Sequence, residues 1–192
     1  MLTVILTGGA SRRMGRDKAL LPIGGRTMLQ YLIDKYSASL GPVAVSVNTP
    51  GRFPFEGAIE LVDRYPGMGP LNGIVSAFEE TEAESIFMTG TDLPFGEPKL
   101  VKRLYELMGD AEACIMRRGE KGFEPLFAIY RRSCGEKAAA CLAGGRKSII
   151  GLLESVNVRY VEPEELSDFE LGRILMNVNT VEEYEIMSNL ML

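Results

Sequence analysis

The short apolar run Leu2–Leu6 breaks directly into Thr7-Gly8-Gly9 and then into a basic, glycine-bearing loop that ends at Leu21. The apolar run reads as a buried first strand. Paired glycines at its end let the backbone turn sharply and let a ligand approach the main chain. Arg12, Arg13, Arg16 and Lys18 follow within a few residues, in a chain whose net charge is −5. A strand that opens into a Gly-rich cationic loop is a way for α/β proteins to hold phosphates: backbone N–H groups line the turn and side-chain cations neutralise oxygens.

The spacing excludes the two commonest phosphate loops. Gly8-Gly9-Ala10 breaks G-x-G-x-x-G at the second glycine. A P-loop needs four residues between its glycines and then Lys-Ser/Thr, whereas five residues separate Gly9 from Gly15 and Ala19 follows Lys18.

Further along, apolar residues Met28, Leu29, Leu32 and Ile33 have helical spacing, with Thr27 at the N-cap position and Gly41-Pro42 as the stop. Val43–Val47 and Ile59–Val62 are strand runs that end at Asn48 and Asp63. Gly67-Met68-Gly69-Pro70 opens a helix over about 71–80, and Ser85–Met88 is a strand that feeds Thr89-Gly90-Thr91-Asp92-Leu93-Pro94-Phe95. A helix is expected over about 97–108 and strands over 113–116 and 125–130, joined by a basic hairpin or loop at 117–122. Helices over about 134–143 and 148–154, strands over 156–161 and 174–178, and a last helix over 180–189 complete the reading.

Strands that alternate with helices predict an α/β fold: a single-domain, doubly wound, mostly parallel sheet, Rossmann-like and covered on both faces. In such sheets ligands sit beyond the carboxyl ends of the strands, which gathers the 6–18 loop, Asn48, Asp63 and Asp92 into one region.

Composition narrows the chemistry. An acidic pI near 5 argues against a general nucleic-acid binder, and the basic residues bunch at 12–18, 117–121 and 146–147, as suits a small anionic ligand. The chain contains no histidine, so the usual zinc ligand and the usual general base are both missing. Cys114, Cys134 and Cys141 make no C-x-x-C pair and no disulfide framework. No stretch approaches the roughly 20 apolar residues of a membrane span, and a reducing cytoplasm is the expected setting.

Leu6-Thr7-Gly8-Gly9, Arg13-Met14-Gly15 and Asp17-Lys18 together resemble the nucleotidyltransferase loop of the molybdenum cofactor guanylyltransferases. Thr91-Asp92-Leu93-Pro94-Phe95 is similar to that family's magnesium-binding motif. Gly69-Pro70-Leu71-Asn72-Gly73, Phe123-Glu124-Pro125-Leu126 and Asn177-Val178-Asn179-Thr180 also resemble family motifs, with Asn72 in place of the usual alanine. The resemblance covers nearly the whole chain and implies one nucleotidyltransferase domain over residues 1–192. It implies transfer of GMP from GTP to molybdopterin or the molybdenum cofactor, with release of pyrophosphate and Mg²⁺ as cofactor. Proteins that deliver and accept the cofactor are the further partners; nucleic acid and membrane are not.

The roles it implies are these. Leu6, Thr7, Gly8 and Gly9 meet the nucleotide, and Gly8 favours guanine because related cytidylyltransferases carry Leu-Ala-Ala-Gly. Asp63 contacts the nucleotide, with a turn-former as its plain alternative; Asn48, by its own place after a strand, either binds the base or adopts a left-handed turn. Asp92 holds Mg²⁺, or else caps the helix near Glu97 or braces a turn. Lys18, Arg12 and Arg13 stabilise negative charge during transfer. Asn179 is a candidate second metal ligand, with helix capping as the alternative. One or two of Arg117, Arg118, Lys121, Arg146 and Lys147 are candidates for the phosphate of the second substrate. Three other readings share the loop: a pterin enzyme using CTP, a sugar-phosphate nucleotidyltransferase, and a non-catalytic GTP-binding assembly protein.

Overall fold

The computed structural model describes residues 1–8, 17–65, 67–119 and 122–191. Gly9, Arg12, Arg13, Met14, Gly15 and Lys121 therefore lie outside the described residues. Strand β1 (Leu2–Leu6) is followed by a 3-10 turn (Lys18–Leu20) and a small hairpin, β2 (Pro22–Ile23) with β3 (Arg26–Thr27). Then come α1 (Met28–Leu40), β4 (Val43–Val47), β5 (Ile59–Val62), α2 (Pro70–Glu80), β6 (Ser85–Gly90) and α3 (Pro98–Leu107). The second half holds β7 (Ala113–Arg118), β8 (Gly122–Arg131), α4 (Ser133–Ala143), α5 (Ile149–Leu153), β9 (Val158–Val161), α6 (Leu171–Ile174) and α7 (Val181–Met191).

The main sheet has seven strands in the order β5-β4-β1-β6-β8-β7-β9. Its β5/β4, β4/β1, β1/β6 and β7/β9 pairs are parallel. Among the described strands of this sheet only β8 runs the other way, between β6 and β7. The doubly wound, mostly parallel sheet is thus as expected, and antiparallel pairing of β7 with β8 on either side of the basic segment places β8 inside the sheet.

Period-two alternation explains why both faces are covered. Ile5 of β1 packs with Val43, Val45 and Val47 of β4 and Phe87 of β6 against α1 and α3. Leu2, Val4 and Leu6 pack on the opposite face with Ala44, Ile86 and Met88, under α2, α4 and α5. Tyr36, Phe87 and Phe127 form an edge-to-face stack in the first of these cores, with centroids 5.4 and 4.8 Å apart. Burying one such large apolar side chain contributes about 1.5–3 kcal/mol.

Thr27 caps α1 as expected, its Oγ1 accepting from Gln30 N at 3.2 Å. The β2/β3 hairpin was not anticipated. Its turn is Gly24-Gly25, both at positive φ (54° and 78°), a conformation that favours glycine.

The strand expected over 174–178 is absent. Ile174 N and Leu175 N bond back to Glu170 O and Leu171 O as one helical turn, and Val178 N then bonds to Asp92 O. Ile174, Leu175 and Val178 are nevertheless buried in the core, so their apolar pattern reflects burial without a β ladder. No helix among the described residues is long and apolar enough to cross a membrane.

Candidate active site

Strand β1 lies between β4 and β6, where the order of the strands reverses, so a crevice opens beyond its C-terminal end. The junction is tight. Thr7 N bonds to Ser46 O at 3.3 Å on one side, and Thr91 N bonds to Leu6 O at 3.3 Å on the other. A cavity of about 630 Å³ occupies this end of the sheet, a size suited to a nucleotide. Leu6, Thr7, Gly8, Lys18, Asn48, Asp63, Asp92 and Asn179 all line it. The structure thus brings together every candidate nucleotide and metal residue that lies among the described residues.

Side-chain hydrogen bonds build the wall on the β4–β5 side. Thr7 Oγ1 donates to Ser46 O at 2.6 Å, so its hydroxyl is turned into the sheet edge rather than towards the cavity centre. Ser46 Oγ donates to Asp63 Oδ1 at 2.7 Å and orients that carboxylate. Ser46 itself lines the cavity and was not singled out in the sequence. The available signal was its place in Val45-Ser46-Val47-Asn48, a polar residue inside a buried strand.

The amino end of α2 closes this side. Gly69, at φ 74°, is the N-cap, and Gly69, Pro70 and Gly73 face the cavity. A Cβ at Gly73 would stand 2.5 Å from Leu6 Cδ2, so glycine is what lets the helix approach the end of β1. Asn72 is fully buried and does not line the cavity; its Oδ1 accepts from Tyr65 N at 3.0 Å and secures the preceding loop.

The opposite wall is the loop after β6. A Cβ at Gly90 would lie 2.4 Å from Asp92 Oδ1, so the aspartate folds back over the bare Cα of Gly90. Val178 N donates to Asp92 O at 2.9 Å and ties this loop to the segment before α7. Glu97, not Asp92, holds the N-cap position of the helix that follows, with no side-chain cap hydrogen bond.

Asn179 and Lys18 stand 161 residues apart and meet here: Lys18 Nζ donates to Asn179 Oδ1 at 2.6 Å. Asn179 does not cap α7. Thr180 Oγ1 accepts from Glu183 N at 3.2 Å, while Glu183 Oε2 accepts from Asn179 N and Thr180 N at 2.5 and 3.0 Å, a capping box that leaves the Asn179 side chain to Lys18. Asp17 starts the 3-10 turn by accepting from Ala19 N, and its other oxygen pairs with Arg52 at 2.9 Å.

Glu124 is nearly enclosed and pairs with Arg118 at 2.9 Å, while Arg118 also donates to Leu175 O at 3.2 Å. Burial pushes the Glu124 carboxyl above its ordinary range, Arg118 opposes that shift, and the Asp92 carboxylate adds to it. Arg117 turns to Glu162 at 2.9 Å and stacks on Tyr160, while Arg146 and Lys147 are exposed and do not line the cavity.

The donors at the Asp92 end are hard oxygens, with no sulfur or imidazole beside them. No group of three or more acidic, cysteine or histidine residues occurs among the described residues. The Asp92 carboxylate in this open cavity fits a hard divalent ion that takes its remaining ligands from phosphates and water.

Comparison with known proteins finds relatives over nearly the whole chain. Residues 3–158 match the MobA-like NTP transferase domain. A protein of Carboxydothermus hydrogenoformans named "Probable molybdenum cofactor guanylyltransferase" is 33% identical over 186 residues, covering 96% of this chain and 93% of its own. A protein of the same name from Methanosarcina mazei is 30% identical, covering 96% and 88%. The crystal structure of molybdopterin-guanine dinucleotide biosynthesis protein A from Archaeoglobus fulgidus superposes with a TM-score of 0.84 at 24% identity, over 99% of this chain and 98% of the other.

Proposed function

The chain belongs to the family of MobA-like NTP transferase domains and is an enzyme of the nucleotidyltransferase class, and from that premise we infer that it transfers GMP from GTP to molybdopterin or the molybdenum cofactor. The observation that carries this reading is the convergence of Lys18, Asn179 and Asp92 on one nucleotide-sized cavity at the switch point of the sheet. The products are the guanine dinucleotide cofactor and pyrophosphate.

The reaction needs no nucleophile from the protein, because the terminal phosphate of the pterin is already an anionic oxygen nucleophile. The lack of histidine is then no obstacle. What remains is to align the two phosphates and to offset charge as the pyrophosphate leaves. The β4–β5 wall, with Asp63 held by Ser46, suits the nucleoside end of GTP. Lys18, fixed by Asn179, suits the phosphate end, where its ammonium meets negative charge that grows during transfer. Arg12 and Arg13 belong to the same basic loop and are assigned the same task.

Asp92 is the residue proposed to hold a divalent ion, as nucleotidyltransferases of this family usually require, and Mg²⁺ is the ion proposed. When bound, such an ion supplies positive charge to phosphate oxygens. Asn179 keeps a second lone pair on the oxygen that meets Lys18, so a role at the metal is compatible with its role at the lysine.

The test is pyrophosphate release with each of GTP, CTP and ATP, with and without molybdopterin. Release that requires both GTP and the pterin is expected. Release with CTP in its place would move the assignment to a cytidylyltransferase, and release with sugar phosphates would move it to a sugar-nucleotide enzyme. GTP binding with no turnover under any of these conditions would point to an assembly protein.

A further inference from the structure

The loop that carries Asp92 is gripped from behind by a residue that lines no part of the cavity. Lys35, on α1, sends its ammonium into this loop, where Nζ donates to Pro94 O at 2.6 Å and to Gly96 O at 3.2 Å. Pro94 and Gly96 are buried, so water is a poor substitute donor for their carbonyls. The same ammonium sits 4.7 Å from the centroid of the Tyr31 ring. Arg173, on α6, stacks on Phe95 of the same loop at 5.4 Å.

From Gly96 the hold passes back to the aspartate by turn hydrogen bonds: Gly96 N to Leu93 O at 3.2 Å, then Leu93 N to Gly90 O at 3.3 Å. Gly90 is the residue over which the Asp92 carboxylate folds. A cation on α1 therefore braces the far end of the turn whose near end presents Asp92 to the cavity.

We propose that Lys35 is a positioning residue for the Asp92 loop and that, by holding the Pro94 and Gly96 carbonyls, it sets the affinity of the site for its divalent ion. This rests on the reading above, in which Asp92 holds that ion.

The charged groups around Lys35 are few. Burial lowers its pKa to about 8, and Glu97 beyond the loop partly restores it. Tyr31 on the same helix is itself raised by burial and drawn down by Arg173. Below about pH 8 Lys35 is an ammonium with three donors, and above it the group is a neutral amine with a weaker hold on both carbonyls. The divalent-ion requirement should therefore rise on the alkaline side. Arginine keeps its charge throughout this range.

The experiment compares wild type with Lys35→Met and Lys35→Arg. For each, thermal unfolding is recorded first, then GTP affinity without divalent ion, then the Mg²⁺ concentration that half-maximally enhances GTP binding, from pH 6.5 to 9.5. Lys35→Met is expected to fold, to bind free GTP as wild type does, and to need about tenfold more Mg²⁺, the scale of losing an outer-shell support. Lys35→Arg should restore much of the affinity and abolish its alkaline decline. An unchanged Mg²⁺ requirement in a folded Lys35→Met protein would overturn the proposal, as would an alkaline decline that persists in Lys35→Arg. If Lys35→Met does not fold, the pH dependence of Lys35→Arg alone decides. Wild type that shows the Mg²⁺ effect yet releases no pyrophosphate would count against the transferase reading and leave the Lys35 inference standing. Wild type in which Mg²⁺ has no effect on GTP binding would remove both.

Discussion

The two walls of the cavity are built on different principles. On the β4–β5 side, short polar side chains link neighbouring strand ends in sequence: Thr7 to Ser46, Ser46 to Asp63. On the Asp92 side, the holding groups are backbone amides and carbonyls clasped by residues far away in the chain, Leu6, Val178 and Lys35. A wall of side-chain links can be tuned one residue at a time. A wall of clasped backbone places one carboxylate rigidly, which is what a site that must hold a metal needs.

If the contrast is right, the largest effect comes from the carboxylate itself. Asp92→Ala should keep its fold and lose about a thousandfold or more in turnover, on the scale of losing a principal electrostatic group. Measured turnover within tenfold of wild type would break the metal assignment. Lys18→Ala is next, with a loss of about a hundred- to a thousandfold in kcat at unchanged thermal stability. An unaltered rate would remove the lysine from the chemistry and leave Asn179 only its proposed role at the metal.

Gly90→Ala sharpens the comparison. The added methyl collides with Asp92 Oδ1, so the carboxylate must swing away while every ligating atom is retained. A drop of about ten- to a hundredfold in Mg²⁺ affinity is expected by titration, on the scale of displacing a metal's support. Little change there would show that the aspartate can work from another orientation. The smallest effect belongs to the other wall. Ser46→Ala leaves Asp63 without its donor, costs about 1.5 kcal/mol, and should weaken GTP binding about tenfold by calorimetry with kcat preserved. A fall in kcat instead would mean that the two walls do not divide the work as described.

Much of the site was legible because its residues sit where local pattern predicts an exposed strand end. Gly8, Asn48, Asp63 and Asp92 follow apolar runs, and a parallel sheet collects such ends on one edge. Ser46 escaped notice because it lies inside a strand run, and its side chain gains meaning only when Asp63 comes alongside. Asn179 shows the same limit. Asn-Thr before Val-Glu-Glu reads as a cap, and the structure assigns the cap to Thr180 and Glu183, leaving Asn179 to meet Lys18. The segment over 174–178 is apolar enough for a strand, but among the described residues it pairs with no strand, and Val178 N bonds instead to Asp92 O.

By itself the sequence determined an α/β alternation, a ligand end at the tips of the strands, and a chemistry confined to oxygens and cations by the absence of histidine. Those are local properties, read from apolar spacing and turn residues within a dozen positions. Tertiary structure alone decided that Lys18 meets Asn179, that Val178 clasps Asp92, and that Lys35 braces the turn beyond it. Such pairings depend on strand order and on the closure of long loops, which a one-dimensional pattern of hydrophobicity does not encode.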